Sequence, residues 1–247
     1  MAAKKIRLDK LLVDRGDAPT LEKARALIMA RAVKVNDAYP DKAGVTVAAD
    51  AEIHMKGEDN PYVSRGGLKL AGALKEFDLS VEGIVAFDVG ASTGGFTDCL
   101  LQKGARKVYA LDVAYGQLAW KLREDRRVVV IERTNCRYYD GADLDEKIDL
   151  AVIDASFISL KIVIPAVLQF LESGARILAL IKPQFEARRE EVAEGGVVQD
   201  ASVQERVVEE IREFCKLLRL NVEGTCSSPI LGPSGNKEFF ILARKKN

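Results

Sequence analysis

The chain has 247 residues, with 37 Lys+Arg against 37 Asp+Glu, 48% hydrophobic and 30% charged residues. This is an ordinary globular balance, and it excludes a disordered chain, which combines low hydrophobicity with high net charge. No apolar run approaches the ~20 residues that cross a bilayer, and the start, Met1-Ala-Ala-Lys-Lys, lacks the apolar core of a secretory signal. Cys99, Cys136, Cys215 and Cys226 have no CxxC spacing and read as free thiols of a reducing cytoplasm, with no metal site. His54 is the single histidine. Histidine-based chemistry is therefore not expected.

The neutral total hides a basic end. Nine Lys/Arg face four acids between Lys4 and Lys34, and the balance turns acidic from Asp37 to Asp59. Leu8, Leu11 and Leu12 have helical spacing, with Gly16 as a stop. Thr20 is positioned to cap a second helix with Leu21, Ala24, Leu27 and Ile28 on its buried stripe. Short strands are expected at Val33–Asn36, Val45–Val47 and Ala51–Met55, with Asn36-Asp37 in a turn. The polar stretch from Lys56 to Pro61 reads as a linker. The expected division is a small α+β domain over 1–57, a linker over 58–64 and a larger domain over 65–247.

From Gly83 the pattern alternates. Strands are expected at Ile84–Asp88, Lys107–Asp112, Val128–Glu132, Ile148–Asp154 and Ala175–Lys182. Helices are expected near Gly94–Lys103, Gln117–Arg123, Ser159–Leu171 and Ser202–Leu218. Alternation of this kind implies an α/β fold with a mostly parallel, Rossmann-like sheet covered on both faces. Two strands in succession, Asn221–Ser227 and Glu238–Arg244, suggest an antiparallel hairpin at its edge.

The first strand of that sheet runs into Asp88-Val-Gly-Ala-Ser-Thr-Gly-Gly-Phe-Thr97. Glycines there let a backbone approach a ligand closely. A dinucleotide site has the spacing G-x-G-x-x-G, with the pyrophosphate on a helix N-terminus. Here the spacing is G-x-x-x-G-G, and Asp88 would repel phosphate but suit a cationic amino-acid tail. Asp112, ending the next strand, is placed to accept two ribose hydroxyls. These features favour S-adenosylmethionine over NAD or ATP.

Several blocks in order make the chain resemble the TlyA, or haemolysin A-like, family of ribosomal RNA 2′-O-methyltransferases. They are Arg7-Leu-Asp-Lys-Leu-Leu, Ala24-Arg-Ala-Leu-Ile and Val33-Lys-Val-Asn at the start. Ser64-Arg-Gly-Gly-Leu-Lys69, the Asp88–Thr97 segment, Asp154-Ala-Ser-Phe-Ile-Ser, Leu180-Ile-Lys182-Pro-Gln-Phe-Glu, Gly195-Gly-Val-Val and Gly235-Asn-Lys-Glu238 follow. The resemblance implies an S4-type RNA-binding module joined to an FtsJ-like methyltransferase domain that uses S-adenosylmethionine. It implies a catalytic tetrad of Lys69, Asp154, Lys182 and Glu238. It also implies a cofactor site on Asp88, Gly90, Ala91, Ser92, Gly94, Gly95, Phe96, Asp112, Val113 and Asn135. Lys182 is the candidate to receive the ribose proton or steady the alkoxide, with Lys69 as its neighbour and the two carboxylates orienting the amines.

Lys5, Arg7, Lys10, Arg25, Arg31 and Lys34, with Arg65 and Arg133 near the site, are candidates for RNA contacts, which are salt-dependent and carry little sequence information. The expected partners are ribosomal RNA or ribosomal subunits, and the expected state is a cytoplasmic monomer with no membrane association. Other readings stay open: a non-catalytic RNA-binding or assembly protein, a methyltransferase for a small molecule or a protein, and a membrane-active haemolysin. The last needs an exposed amphipathic or spanning segment.

Overall fold

The computed structural model describes residues 5–18, 20–36, 38–49, 51–55 and 60–246, and of His54 and Met55 the backbone only. Lys4 of the basic segment, Asp37 of the expected turn and residues 56–59 around the expected linker lie outside this set. The chain divides into two compact units, Met1–Asn60 and Pro61–Asn247.

The first unit contains β1 (Lys5–Arg7), α1 (Leu8–Asp14), α2 (Leu21–Met29), β2 (Val33–Val35), β3 (Thr46–Ala48) and β4 (Ile53–Met55). Thr20 caps α2 by accepting the Lys23 N–H, and Gly16 ends the turn after α1 at φ +81°. Leu8, Leu12, Ala24 and Ile28 close a small core over Val33 and Val35. The strands pair in a way their spacing did not suggest. β2 pairs with β4, and β3 pairs with β1, a strand missing from the pattern reading. Three-residue strands are too short to show the alternation by which a strand is recognised.

The second unit contains α3 (Arg65–Glu76), β5 (Val85–Val89), α4 (Gly95–Gln102), β6 (Lys107–Leu111), α5 (Trp120–Arg123), β7 (Val128–Ile131), β8 (Ile148–Ile153) and α6 (Leu160–Leu168). It continues with β9 (Leu171–Ile181), α7 (Pro183–Glu186), α8 (Ala201–Leu217), β10 (Leu220–Ser227) and β11 (Phe239–Lys245). Seven strands form one sheet in the order β10-β11-β9-β8-β5-β6-β7. The pairs from β9 through β7 are parallel, and β11 is antiparallel to both its neighbours. Every residue of β5 is buried, as a central strand covered on both faces requires. One face packs against α6 and α8, the other against α3 and α4. In α8, Val207, Ile211 and Cys215 recur every fourth residue and face the core, and Asp200 caps the start.

Two differences from expectation have local causes. β9 begins at Leu171 rather than Ala175, because its register to β8 jumps from Ile148↔Leu171 to Leu150↔Arg176. The extra residues bulge around Gly174 at φ +87°, and Glu172-Ser-Gly174 reads as a loop. Residues 65–76, for which the sequence pattern predicts no element, form α3, which buries Leu70, Ala73 and Leu74.

Candidate active site

The topology explains how distant residues meet. β5, β8 and β9 are parallel, so the residues that follow them emerge at one edge of the sheet. Ligands of open α/β sheets sit in that crevice. The register Val89↔Ile153 sets Asp154 beside Gly90, and the Asp154 N–H donates to the Val89 carbonyl. β11 runs the opposite way, so its first residues lie at the same edge. Its pairing Phe239↔Ile181 brings Glu238 beside Lys182.

Lys69 arrives from α3. At Gly95 a Cβ would lie 2.2 Å from Ser64 Oγ and 2.9 Å from the Gly67 nitrogen. Only glycine permits α3 to start this close to the glycine turn. Lys69 and Glu238, 6% and 2% exposed, then form a buried ion pair.

A cavity of about 790 Å³ opens at this edge. Lys69, Asp154, Lys182 and Glu238 all line it, together with Gly90, Ala91, Ser92, Gly95 and Phe96 of the glycine turn. Lys182 Nζ lies 2.5 Å from Asp154 Oδ1 as an ion pair and donates to Ser156 Oγ at 2.8 Å. The amines thus face carboxylates in two pairs, Lys182 with Asp154 and Lys69 with Glu238. Glu238 Oε1 and Gln184 Oε1 are buried without a partner among the described residues.

The remaining predicted cofactor residues do not line the cavity. Asp88 stands behind the turn, fully buried, with Oδ2 accepting from Thr97 Oγ1 at 2.6 Å and Oδ1 unpaired among the described residues. Burial, helped by the nearby Asp154 and Asp112 carboxylates and opposed by Thr97, pushes its pKa up to about 7. Gly94, at φ +94°, faces the side chains of Leu118 and Leu122, so its role is packing and the start of α4. Asp112 accepts the N–H of Ser92 and of Ala114, both at 2.7 Å, which leaves each oxygen one further lone pair. Exposed Val113 and Asn135 flank it at the ends of β6 and β7, and Asn135 accepts the Arg137 N–H.

The fit to S-adenosylmethionine rests on three observations. Gly90 lines the cavity at φ +91°, and a Cβ there would come within 2.7 Å of the Asp154 carbonyl oxygen, so only glycine lets the turn pass this close to the end of β8. Asp88 keeps an unpaired buried oxygen behind that backbone, suited to a cationic group. Asp112, joined to the turn through Ser92, keeps acceptor capacity suited to hydroxyls.

Three polar residues escaped the sequence reading. Ser156 and Gln184 line the cavity beside the Asp154 and Lys182 blocks. Asn236, 2% exposed, accepts the Val198 N–H and donates to the Gly196 carbonyl, fixing the 193–198 turn as a cavity wall. Each is a polar residue inside a block already singled out, and that was the available signal.

Of the basic candidates, Arg65 is exposed and lines the cavity. Arg133 lies outside it, its guanidinium 4.1 Å from the centre of the Tyr115 ring. In the first unit, Lys5 and Lys10 are exposed and Lys34 is half-buried in β2. Arg7 and Arg25 both bond Asp9, and Arg31 pairs with Asp41 at 2.6 Å with both side chains exposed.

Residues 62–245 match the FtsJ-like methyltransferase family, and residues 6–53 match the S4 domain. The Bacillus subtilis protein YqxC, provisionally named an rRNA methyltransferase, is 49% identical over 242 residues, covering 98% of this chain and 86% of its own. The 16S/23S rRNA (cytidine-2′-O)-methyltransferase TlyA of Mycobacterium tuberculosis is 42% identical over 250 residues, covering 98% and 91%. A solved structure from Streptococcus thermophilus, titled provisionally as a hemolysin, has a TM-score of 0.78 at 44% identity, covering 100% of this chain and 90% of its own. The chain therefore belongs to the FtsJ-like methyltransferase family, carries an S4 domain ahead of the methyltransferase domain, and is an S-adenosylmethionine-dependent enzyme.

Proposed function

We propose that this chain methylates the 2′-oxygen of a ribose in ribosomal RNA, acting as a monomer in the cytoplasm. The observation that carries the reading is that two amines and two carboxylates from distant segments line one cavity beside the Gly90–Phe96 turn. S-adenosylmethionine supplies a methyl group on a sulfonium, which leaves readily and needs no metal. The protein's task is to hold a poor nucleophile in line and to manage its proton. Positioning of this kind is worth ~7–11 kcal/mol, and a placed acid–base group 10²–10⁴-fold.

Lys182 Nζ is the group placed to take the hydroxyl proton or steady the alkoxide. Asp154 and Ser156 fix that nitrogen from two sides. Glu238 fixes Lys69 in the same way. Asp88, from behind the glycine turn, would favour the ammonium of the amino-acid tail by its charge, and Asp112 with Asn135 would face the adenosine end. Phe157 supports a nucleobase taken out of its stack: it is 90% exposed, holds φ +62° and lies 5.0 Å from the Phe185 ring. Arg65 and Arg133, with Lys5, Arg7, Lys10, Arg25, Arg31 and Lys34 of the S4 domain, would contact phosphates. The hemolysin name finds little physical support. No helix of the described residues is long and apolar enough to cross a membrane, and the apolar stripe of α8 is buried against the sheet.

The test is incubation of ribosomal subunits and naked rRNA with methyl-labelled cofactor, followed by mapping of the modified nucleotide. Label on a ribose 2′-oxygen is expected. Label on a base, on protein only, or nowhere would reject the proposal.

A further inference from the structure

Asp9 is the one fully buried charged side chain of the first unit among the described residues, set in an otherwise apolar core. A buried carboxylate is costly unless paired, and a buried ion pair contributes little net stability over apolar packing. Asp9 has four donors. Oδ1 accepts Arg7 Nε and the Lys10 N–H, both at 3.0 Å. Oδ2 accepts Arg7 Nη2 at 2.7 Å and Arg25 Nε at 3.0 Å. These bonds, the Arg7 fork first, hold Asp9 ionised well below the usual carboxylate range.

The two arginines are not consumed by this arrangement. Arg7 uses two of its five N–H donors and Arg25 one, and their side chains are 48% and 54% exposed. Because both meet the same oxygen, Arg7 Nη2 and Arg25 Nε lie within about 6 Å of each other. The Arg7 guanidinium lies close over Gly44, where an added Cβ would come within 3.3 Å of Nη2. One guanidinium comes from the β1–α1 junction and the other from α2, so a single buried anion draws cations from two elements into one fixed, outward-facing pair.

We propose that Arg7 and Arg25 form a clamp for one RNA phosphate, with Asp9 as the positioning residue that holds both forks. A preset fork loses less on binding than a free one, and paired guanidiniums match phosphate oxygens bidentately. The clamp rests on the reading of the first unit as the RNA-binding part of an rRNA methyltransferase.

The sign of one substitution separates a clamp from simple charge. Asp9→Asn removes a negative charge near RNA, which by Coulomb attraction alone tightens binding. Loss of orientation weakens it. Affinity of the full-length protein for purified rRNA is measured between about 50 and 200 mM KCl, with melting temperature and cofactor binding recorded alongside. Asp9→Asn is expected to bind about fivefold more weakly. Arg7→Gln and Arg25→Gln should each lower the salt slope by about one. Arg25→Lys, which keeps the charge but loses the fork, should bind about threefold more weakly at an unchanged slope.

Binding by Asp9→Asn as tight as or tighter than the parent overturns the clamp. If Asp9→Asn fails to fold, unchanged affinity and slope in the three arginine variants overturn it instead. Parental methylation of rRNA with such unaltered variants counts against the clamp alone. A parent that neither binds nor methylates rRNA sinks the clamp and the proposed function together.

Discussion

Replacing Lys182 by methionine keeps the length of the buried stem and removes the amine. Two costs follow, and they can be separated. The first is structural, because Asp154 loses its cation. Breaking a fully buried pair costs about 3–5 kcal/mol. The Asp154 side chain is 21% exposed, so water screens part of that loss and the lower end, about 3 kcal/mol, applies. The second is catalytic: loss of the amine placed to take the hydroxyl proton or steady the alkoxide lowers the rate 10²–10⁴-fold, about 3–5 kcal/mol in the barrier. The double variant Lys182→Met/Asp154→Asn leaves no unpaired charge, so stability should return while the rate stays low. Single-turnover transfer of labelled methyl to rRNA measures the rate, thermal unfolding the stability, and calorimetry the cofactor affinity, which should change by less than about threefold. A folded Lys182→Met protein that methylates within threefold of the parent refutes the role given to this amine.

Three further outcomes follow from the same geometry. The Asp88 carboxyl is raised to about 7 from an ordinary 3.8, so the folded protein retains a proton that the unfolded chain releases. Its contribution to stability is therefore greatest below about pH 4 and falls as pH rises through 7. A cationic ligand beside Asp88 favours the carboxylate, so cofactor binding at pH 6 should release a proton and tighten toward pH 7. Calorimetry in two buffers should show this release in the parent and not in Asp88→Asn; equal release in both would exclude Asp88. Gly90→Ala places a Cβ 2.7 Å from the Asp154 carbonyl oxygen at φ +91°; it should cost about 1–3 kcal/mol in stability and weaken cofactor binding, and a variant with parental affinity counts against close approach at this loop. Removal of residues 1–60 should leave cofactor binding in the 61–247 unit while weakening rRNA affinity, and unchanged affinity at physiological salt would deprive the S4 domain of its proposed purpose.

Local pattern was enough for some of this molecule. Alternating apolar runs and helical periodicity announce the parallel sheet, because each strand and helix must bury a face that its own sequence carries. The glycine turn after β5 is legible for the same reason: a close backbone approach demands residues without a Cβ within a few positions. Two kinds of fact depended on the assembled fold. Strand partners in the first unit did, since three-residue strands have too short a period to specify register. So did the pairing at the site. Lys69 and Glu238 are 169 residues apart, and only the reversed direction of β11, together with α3 pressed against Gly95, brings them to one edge. Burial decided the rest. Asp9 and Asp88 are ordinary acidic letters in the chain, and their surroundings make one an anchor for two arginines and the other a carboxyl poised near neutrality. Desolvation and charge proximity are properties of three-dimensional neighbours, which no short window of sequence contains.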